Sequence, residues 1–264
     1  MQIHVLASGS SGNSVFIDLG GVRLLVDAGI STRRIEKSLA SIGAEAGQIH
    51  AVLITHEHSD HIKGLEVLAR KYRIPVYARP GVWHAIGHRL NLPAGVQKDL
   101  GKGLDIGGVR VEPFKTSHDA ADPVGYCFYH STHKFVVVTD LGVVTSSVAD
   151  ALAYADAVVL ESNHDIEMLN NGPYPYFLKQ RIRGATGHLS NRDAALALAG
   201  IPRKERMHVF LAHLSQENNH PDLAENTVKG ILSERGCKVG REIILHRTYR
   251  DRISSLVSTP AGCV

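Results

Sequence analysis

Three histidines and one aspartate lie within positions 56–61, directly after the apolar run AVLIT (51–55). The following segment, HIKGLEVLARKY (61–72), repeats its apolar residues at helical spacing, so the cluster is predicted between a buried strand and a helix. Along an extended chain His56 and His58 point the same way, and Asp60 and His61 aim at a second position where the chain turns into the helix. Imidazole nitrogens and carboxylate oxygens are ligands for zinc, iron or manganese. The spacing therefore predicts ligand pairs for two adjacent metal ions; the alternative is a solvated polar loop.

Strand and helix patterns alternate along the rest of the chain, which predicts a layered α/β protein. Strands are predicted at 4–8, 14–21, 22–29, 51–55, 74–78, 108–116, 124–130, 134–140, 157–162, 207–213 and 241–247. Helices are predicted at 33–43, 61–72, 81–90, 146–155, 176–184, 191–200 and 223–236, and a loop rich in Asn, Gly and Pro at 163–175.

Composition sets the broad class. The 264 residues are 44% hydrophobic and 21% charged, typical of a globular protein, and no linker divides them, so a single domain over 1–264 is expected. The cysteines Cys127, Cys237 and Cys263 form no CxxC pair, which indicates a reducing compartment. Neither a signal peptide nor a long apolar span is evident, so the expectation is a cytoplasmic protein without a membrane partner. A net charge of +3 neither requires nor opposes a nucleic-acid partner.

The motif HxHxDH after an apolar strand resembles the signature of the metallo-β-lactamase fold. The same resemblance extends to Asp27 in LLVDAG, His118 in TSHDA, Asp140 in VVVTDLG and His213 in FLAHLS. It implies a four-layer αββα sandwich, an α/β fold of two mixed β-sheets with helices on the outer faces.

The same resemblance assigns the metal ligands. One divalent ion is expected on His56, His58 and His118 and a second on Asp60, His61 and His213, with Asp140 bridging both. Zinc or manganese is the expected metal, and iron is an alternative. A hydroxide held between the ions is the implied nucleophile, and Asp27 is expected to orient a ligand histidine.

Within this fold the sequence is most similar to the YycJ/WalJ group of bacterial nucleases, through ASGSSGNS, THEHSDHIKG, ESNHD, GPYP and HLSQENN. The ending GHLSN–helix–strand–HLS is similar, more distantly, to ribonuclease Z. These likenesses imply a phosphodiesterase that hydrolyses nucleic acid, with DNA favoured over RNA, and most specifically a DNA exonuclease. A hydrolase of a small phosphodiester, a thioester or lactam hydrolase, and a member that only binds are the alternatives. The oligomeric state, including a dimer, stays open.

Further candidates carry weaker signals. By resemblance, His188 and Asp60 are the catalytic candidates, and His188 would donate a proton or stabilise phosphorane charge; packing at a helix start is its alternative role. Orienting a metal ligand or contacting substrate is considered for Ser8, Asn13, His164 and Ser215, and for Glu161, Asn218 and Asn219; the alternative for each is a role in a turn or in packing. Lys179, Arg181 and Arg183 are considered for backbone contacts with nucleic acid and Tyr174 and Tyr176 for base stacking, against a solvated or packed face.

Overall fold

The computed structural model describes residues 1–257, so Cys263 lies outside the described residues. The strands are β1 (Gln2–Ala7), β2 (Ser14–Leu19), β3 (Val22–Val26), β4 (Ala51–Leu53), β5 (Val76–Ala78), β6 (Gln97–Asp99), β7 (Leu104–Ile106), β8 (Val109–Lys115), β9 (Val124–His130), β10 (His133–Val138), β11 (Ala157–Glu161), β12 (Met207–Ala212), β13 (Ile243–Arg247) and β14 (Ser254–Val257). The helices are α1 (Thr32–Ser41), α2 (Ser59–Ile62), α3 (Leu65–Tyr72), α4 (Pro80–Ile86), α5 (Ser146–Leu152), α6 (Ile166–Asn171), α7 (Tyr176–Arg183), α8 (Asn191–Gly200) and α9 (Pro221–Glu234).

The chain divides into two compact units. The N-terminal unit comprises Met1–Val111, Ala120–Asp122 and the described residues from Arg250 onward, and the C-terminal unit comprises Glu112–Asp119 and Pro123–Tyr249. The single domain expected over 1–264 stays a prediction. Within residues 1–257, every helix is too short or too polar to cross a membrane.

The N-terminal unit is built on a seven-stranded mixed sheet in the order β14-β1-β2-β3-β4-β5-β6. Its first strands pair antiparallel, whereas β3, β4, β5 and β6 pair in parallel. Helix α1 contributes Ile35 and Leu39, one turn apart, to a core that also holds Phe16, Leu25 and Leu68. The apolar stripe of the helix is therefore buried on this unit's own core, as its spacing predicts.

The second seven-stranded sheet has the order β13-β12-β11-β10-β9-β8-β7 and is also mixed. Strands β10 to β13 pair in parallel, and β9 pairs antiparallel with β10. All five residues of β11 are buried, and the first four, Ala157 to Leu160, form the continuous apolar run expected of a central parallel strand. Leu198 of α8 and Leu232 of α9 pack in the core of the C-terminal unit with Val158 and Val209.

Two sequence predictions need correction. The single helix expected over 61–72 is two helices separated by Lys63 and Gly64, because the Gly64 N–H donates to Ala28 O at 2.7 Å and a Cβ there would lie 2.1 Å from Ile30 O. The loop expected over 163–175 contains α6, which begins where the Asp165 carboxylate accepts a hydrogen bond from the Met168 N–H. The short strands β6, β7 and β14 were not predicted, since too few residues carry an alternating pattern.

The predicted site residues follow parallel strands in each unit. Asp27 follows β3, Asp140 lies shortly after β10, and His213 follows β12. All three have left-handed backbone, with φ of 60°, 58° and 54°. Asp and His tolerate this conformation better than most residues, and such strain concentrates at functional sites.

Candidate metal centre

In the N-terminal unit, Asp27 organises the histidine loop (residues 55–61). Its Oδ1 accepts from the Thr55 N–H at 2.9 Å, and its Oδ2 accepts from Thr55 Oγ1 at 2.8 Å and from His61 Nδ1 at 2.7 Å. Because the Thr55 hydroxyl donates its proton to Asp27, the Thr55 oxygen accepts a hydrogen bond from His56 Nδ1 at 3.0 Å. One buried carboxylate thus holds two imidazole rings, one of them through Thr55.

The opposite edges of these rings carry their Nε2 atoms. His56 Nε2 faces His58 Nδ1 at 3.1 Å. His61 Nε2 lies 3.4 Å from Asp60 Oδ2, and Asn13 Nδ2 lies 3.2 Å from both of those atoms. The loop therefore gathers ring nitrogens and a carboxylate into two small donor groups, as the spacing HxHxDH predicts.

The glycine- and serine-rich segment 8–13 supports the histidine loop. Asn13 N–H donates to Asp60 O at 2.8 Å, and Asn13 Oδ1 accepts from the Gly9 N–H at 2.9 Å. Gly29 lies so close that an added Cβ would be 1.7 Å from Asp60 O. Ser8 is buried in this segment, which packs as a tight turn against the loop.

In the C-terminal unit, Asp140, Glu161, His188 and His213 form a group whose ligand atoms lie within 4.8 Å of one another, here called the C-terminal cluster. Glu161, fully buried at the end of β11, is its centre. Its Oε1 accepts from Nδ1 of His188 and of His213, each at 2.8 Å. Its Oε2 accepts from the N–H groups of Leu141 at 2.9 Å and Leu189 at 3.1 Å.

His118 belongs to the same unit and is oriented by the backbone. Its Nδ1 donates to Gly187 O at 3.2 Å, and its Nε2 lies 3.8 Å from Asp140 Oδ1. Gly187 directly precedes His188. The turn at 184–188 therefore carries His188 and also orients His118 through the Gly187 carbonyl.

The charges of Glu161 and His188 shift each other's pKa. Burial alone would raise the pKa of Glu161, but the positive charge of His188 and the hydrogen bonds from His188 and His213 lower that pKa to about 2. Burial lowers the pKa of His188, yet the charge and hydrogen bond of Glu161, with Asp140, raise it above its ordinary value. An anionic Glu161 therefore favours the protonated form of His188.

The remaining candidates have mainly structural contacts. His164 is buried, its Nδ1 has no hydrogen-bond partner among the described residues, and burial lowers its pKa to about 4, so it is neutral at pH 7. Ser215 Oγ accepts from the Asn218 N–H at 3.2 Å, which closes a turn. Asn219 Nδ2 donates to Ser162 O and Asn163 O, and Tyr174 is partly buried.

The donor chemistry fits divalent metal ions. His56, His61, His118 and His213 each have Nδ1 held by a hydroxyl, carboxylate or carbonyl oxygen, so that Nε2 lies on the opposite edge of the ring. Metal-binding histidines are oriented in this way as a rule. The clusters are therefore able to bind metals.

Sequence reasoning missed Thr55 and the Gly187 carbonyl, and it underrated Glu161. The sequence does indicate Glu161, because it directly follows the apolar run AVVL of a predicted buried strand. A carboxylate buried at that point needs hydrogen-bond donors. Thr55 and the Gly187 carbonyl hold histidine rings through hydrogen bonds, and only the folded backbone places them next to those rings.

The family follows from this fold and these clusters. Residues 22–213 match the Beta-lactamase superfamily domain, and the chain belongs to that family.

Among its relatives, Exodeoxyribonuclease YycJ of Bacillus anthracis is 43% identical over 252 residues, which cover 94% of this chain and 95% of the relative. Exodeoxyribonuclease WalJ of Streptococcus pneumoniae is 40% identical over 260 residues, 97% of each chain. A ribonuclease Z of Bradyrhizobium diazoefficiens is 24% identical over 174 residues, 58% of this chain and 57% of its own. The recognised resemblance is confirmed.

The fold has a solved counterpart. The metallo-β-lactamase fold protein YhfI of Bacillus subtilis superposes with a TM-score of 0.72 at 17% identity, covering 96% of this chain and 98% of its own. The expected fold class, α/β with two mixed sheets and helices, is confirmed.

Proposed function

We propose that the protein is a binuclear metal-dependent phosphodiesterase that hydrolyses nucleic acid, and specifically a DNA exonuclease. The observation that carries the proposal is Glu161, whose one carboxylate holds a predicted metal ligand, His213, and a histidine outside the predicted ligand set, His188. The relatives named exodeoxyribonuclease, similar over nearly the whole chain, support DNA as the substrate. A cytoplasmic location and a single catalytic domain stay predictions.

The proposed ligands are the seven residues of the family resemblance. His56, His58 and His118 would hold one ion, Asp60, His61 and His213 the other, and Asp140 both. When bound, two such ions supply Lewis-acid stabilisation of phosphate charge and lower the pKa of water. Zinc or manganese suits this mixture of imidazole and carboxylate donors.

The protein's own side chains orient the proposed metal ligands and donate a proton. Asp27, through His61 and Thr55, fixes the rings that bind, and Asn13 fixes Asp60. Glu161 holds Nδ1–H of His188 and stabilises its imidazolium form. In this proposal His188 gives the Nε2 proton to the leaving oxygen, a step for which a raised pKa keeps the proton available at neutral pH.

The test is a hydrolysis assay on purified protein that has been stripped with chelator and reloaded with zinc or manganese. End-labelled single- and double-stranded DNA and RNA are compared, and metal-dependent release of mononucleotides from DNA is expected. His58→Ala should abolish this release, whereas His84→Ala, at an exposed histidine, should leave it intact.

Three results would contradict the proposal. Hydrolysis of a nitrophenyl phosphodiester without hydrolysis of DNA or RNA would indicate a small phosphodiester substrate, and hydrolysis of thioesters or lactams alone would indicate the other branches of the fold. Elemental analysis after metal loading should give two ions per chain. A ceiling of one ion would refute the binuclear centre.

A further inference from the structure

Helix α7 exposes two aromatic rings at its start. Tyr176 is 75% and Phe177 is 74% exposed, the highest values among the exposed large hydrophobic side chains of residues 1–257, and none of the helix is buried. Rings left in water forgo the stabilisation that burial provides. An exposed apolar patch flanked by polar groups is typical of an interaction surface.

Positive charge lies on the same helix as these rings, and the helix has no acidic residue. Lys179 Nζ donates to Asn170 O at 2.8 Å, and Arg183 Nη1 donates to Asn170 Oδ1 at 2.6 Å. Because Asn170 is uncharged, these contacts leave both positive charges unneutralised. Aromatic rings beside cations are the combination that binds single-stranded nucleic acid.

The end of α7 is joined to the C-terminal cluster within the same unit. The His188 N–H donates to Ile182 O at 2.8 Å, and the Asp119 N–H, next to His118, donates to Thr186 O at 3.1 Å. A helix of 8 residues is about 12 Å long at roughly 1.5 Å per residue. At about 3.4 Å per stacked nucleotide, the length of the helix corresponds to some three or four nucleotides of a strand.

We propose that Tyr176 and Phe177 stack on bases of a single DNA strand a few nucleotides from the bond that is cut, while Lys179 and Arg183 contact its phosphates. This inference rests on the proposed function, since it adds a strand-binding surface to the nuclease site. Unpaired bases offer the faces that stacking needs, whereas bases inside a duplex stack on each other. The surface therefore selects a single strand over a duplex.

The test measures binding and hydrolysis separately. Fluorescence anisotropy with a labelled oligothymidylate about 12 nucleotides long, in chelator, should show Kd raised about 5- to 150-fold per lost stack in Tyr176→Ala and Phe177→Ala. Tyr176→Phe, which keeps the ring, should bind like wild type. Tyr154→Ala, at another exposed tyrosine of the same unit (58% exposed), is the matched control and should not change Kd.

Substrate length provides the second measurement. In metal-loaded protein, Tyr176→Ala/Phe177→Ala should lower kcat/KM for the oligothymidylate but leave it unchanged for a dinucleotide and for a nitrophenyl phosphodiester, which are too short to reach the rings. Arg183→Gln should lower the slope of log Kd against log salt by about 0.7 for a single strand.

Several outcomes would refute the proposal that α7 binds a DNA strand. These are equal Kd values for wild type and the double variant, an equal loss on short and long substrates, or a dimer that dissociates in the variant while DNA binding is unchanged. The last result would make α7 an interface between two chains. Failure of the nuclease proposal is distinguishable, because wild type would then hydrolyse no DNA while the binding measurement still reports on α7.

Discussion

Replacement of Glu161 by Gln tests the cluster most directly, because the carboxylate is fully buried and accepts four hydrogen bonds. An amide presents one acceptor oxygen and one NH₂ group. Whichever way it turns, two donors lose their acceptor: either the two imidazole N–H groups or those of Leu141 and Leu189. At about 1–3 kcal/mol for each unsatisfied buried donor, the free energy of unfolding should fall by roughly 2–6 kcal/mol.

The assay is urea unfolding at pH 7 of protein stripped of metal, so that loss of an ion cannot mimic loss of packing. Glu167→Gln, at an exposed position in α6, is the control and should cost no more than about 1 kcal/mol. After reloading, the Glu161 variant should bind metal roughly 10- to 100-fold more weakly. A variant within about 1 kcal/mol of wild type and with unchanged metal affinity would refute the view that Glu161 holds both rings.

Three further perturbations probe separate parts of the protein. His188→Ala should retain both metals and lose roughly 10²–10⁴ in kcat, measured with metal content on the same sample; unchanged kcat would assign it to packing. Gly29→Ala, which sets a Cβ 1.7 Å from Asp60 O, should lower unfolding stability by at least about 1–3 kcal/mol, whereas Gly230→Ala in α9, with open space around it, should raise it by about 0.5–1 kcal/mol. Burial lowers the pKa of His246 to about 4 from 6.5. The part of the free energy of unfolding that depends on its neutral form is therefore complete above pH 6.5 and is lost as the pH falls toward 4; because the ring is partly exposed and screened, the loss should be well below about 3 kcal/mol. Urea titrations of wild type and His246→Phe at pH 7 and pH 5 should show a smaller loss in the variant; equal losses would contradict this origin.

The sequence predicted the long elements of the fold well and the short ones poorly. Strands β10 and β11 contain the buried apolar runs FVVV and AVVL, and α9 repeats apolar residues over 14 positions, so these patterns identify them. Strand β6 has three exposed residues and no apolar pattern; it exists because it pairs in parallel with β5. Helix α6 was missed since its asparagines disfavour a helix interior, and the Asp165 cap compensates at its start.

Within the site, the predicted residues of HxHxDH lie together because they are adjacent in sequence. His118 and Glu161 are different, since their contacts join residues far apart in the chain. His118 donates to Gly187 O across 69 residues, and Glu161 accepts from His188 and His213 across 27 and 52 residues. Local spacing carries no information on such contacts, and only a family resemblance could assign His118. Ser215, beside a predicted ligand, closes a turn with Asn218, and the substrate contact considered for it stays a prediction.

Hydrogen-bond capacity gives the two buried acids Asp27 and Glu161 the same role. A carboxylate offers about four lone-pair directions, and Glu161 uses all four to accept hydrogen bonds from two imidazole rings and two backbone N–H groups. Asp27 spends three on Thr55 and His61. Glu161 is near enough to the other ligand atoms to count geometrically as a ligand, but an ion bound to it would have to displace a donor that orients His188 or His213. We therefore assign Asp27 and Glu161 to orienting imidazoles. Both acids lie where a parallel strand ends, one in each unit, and each fixes a histidine by Nδ1 so that Nε2 is presented for chemistry.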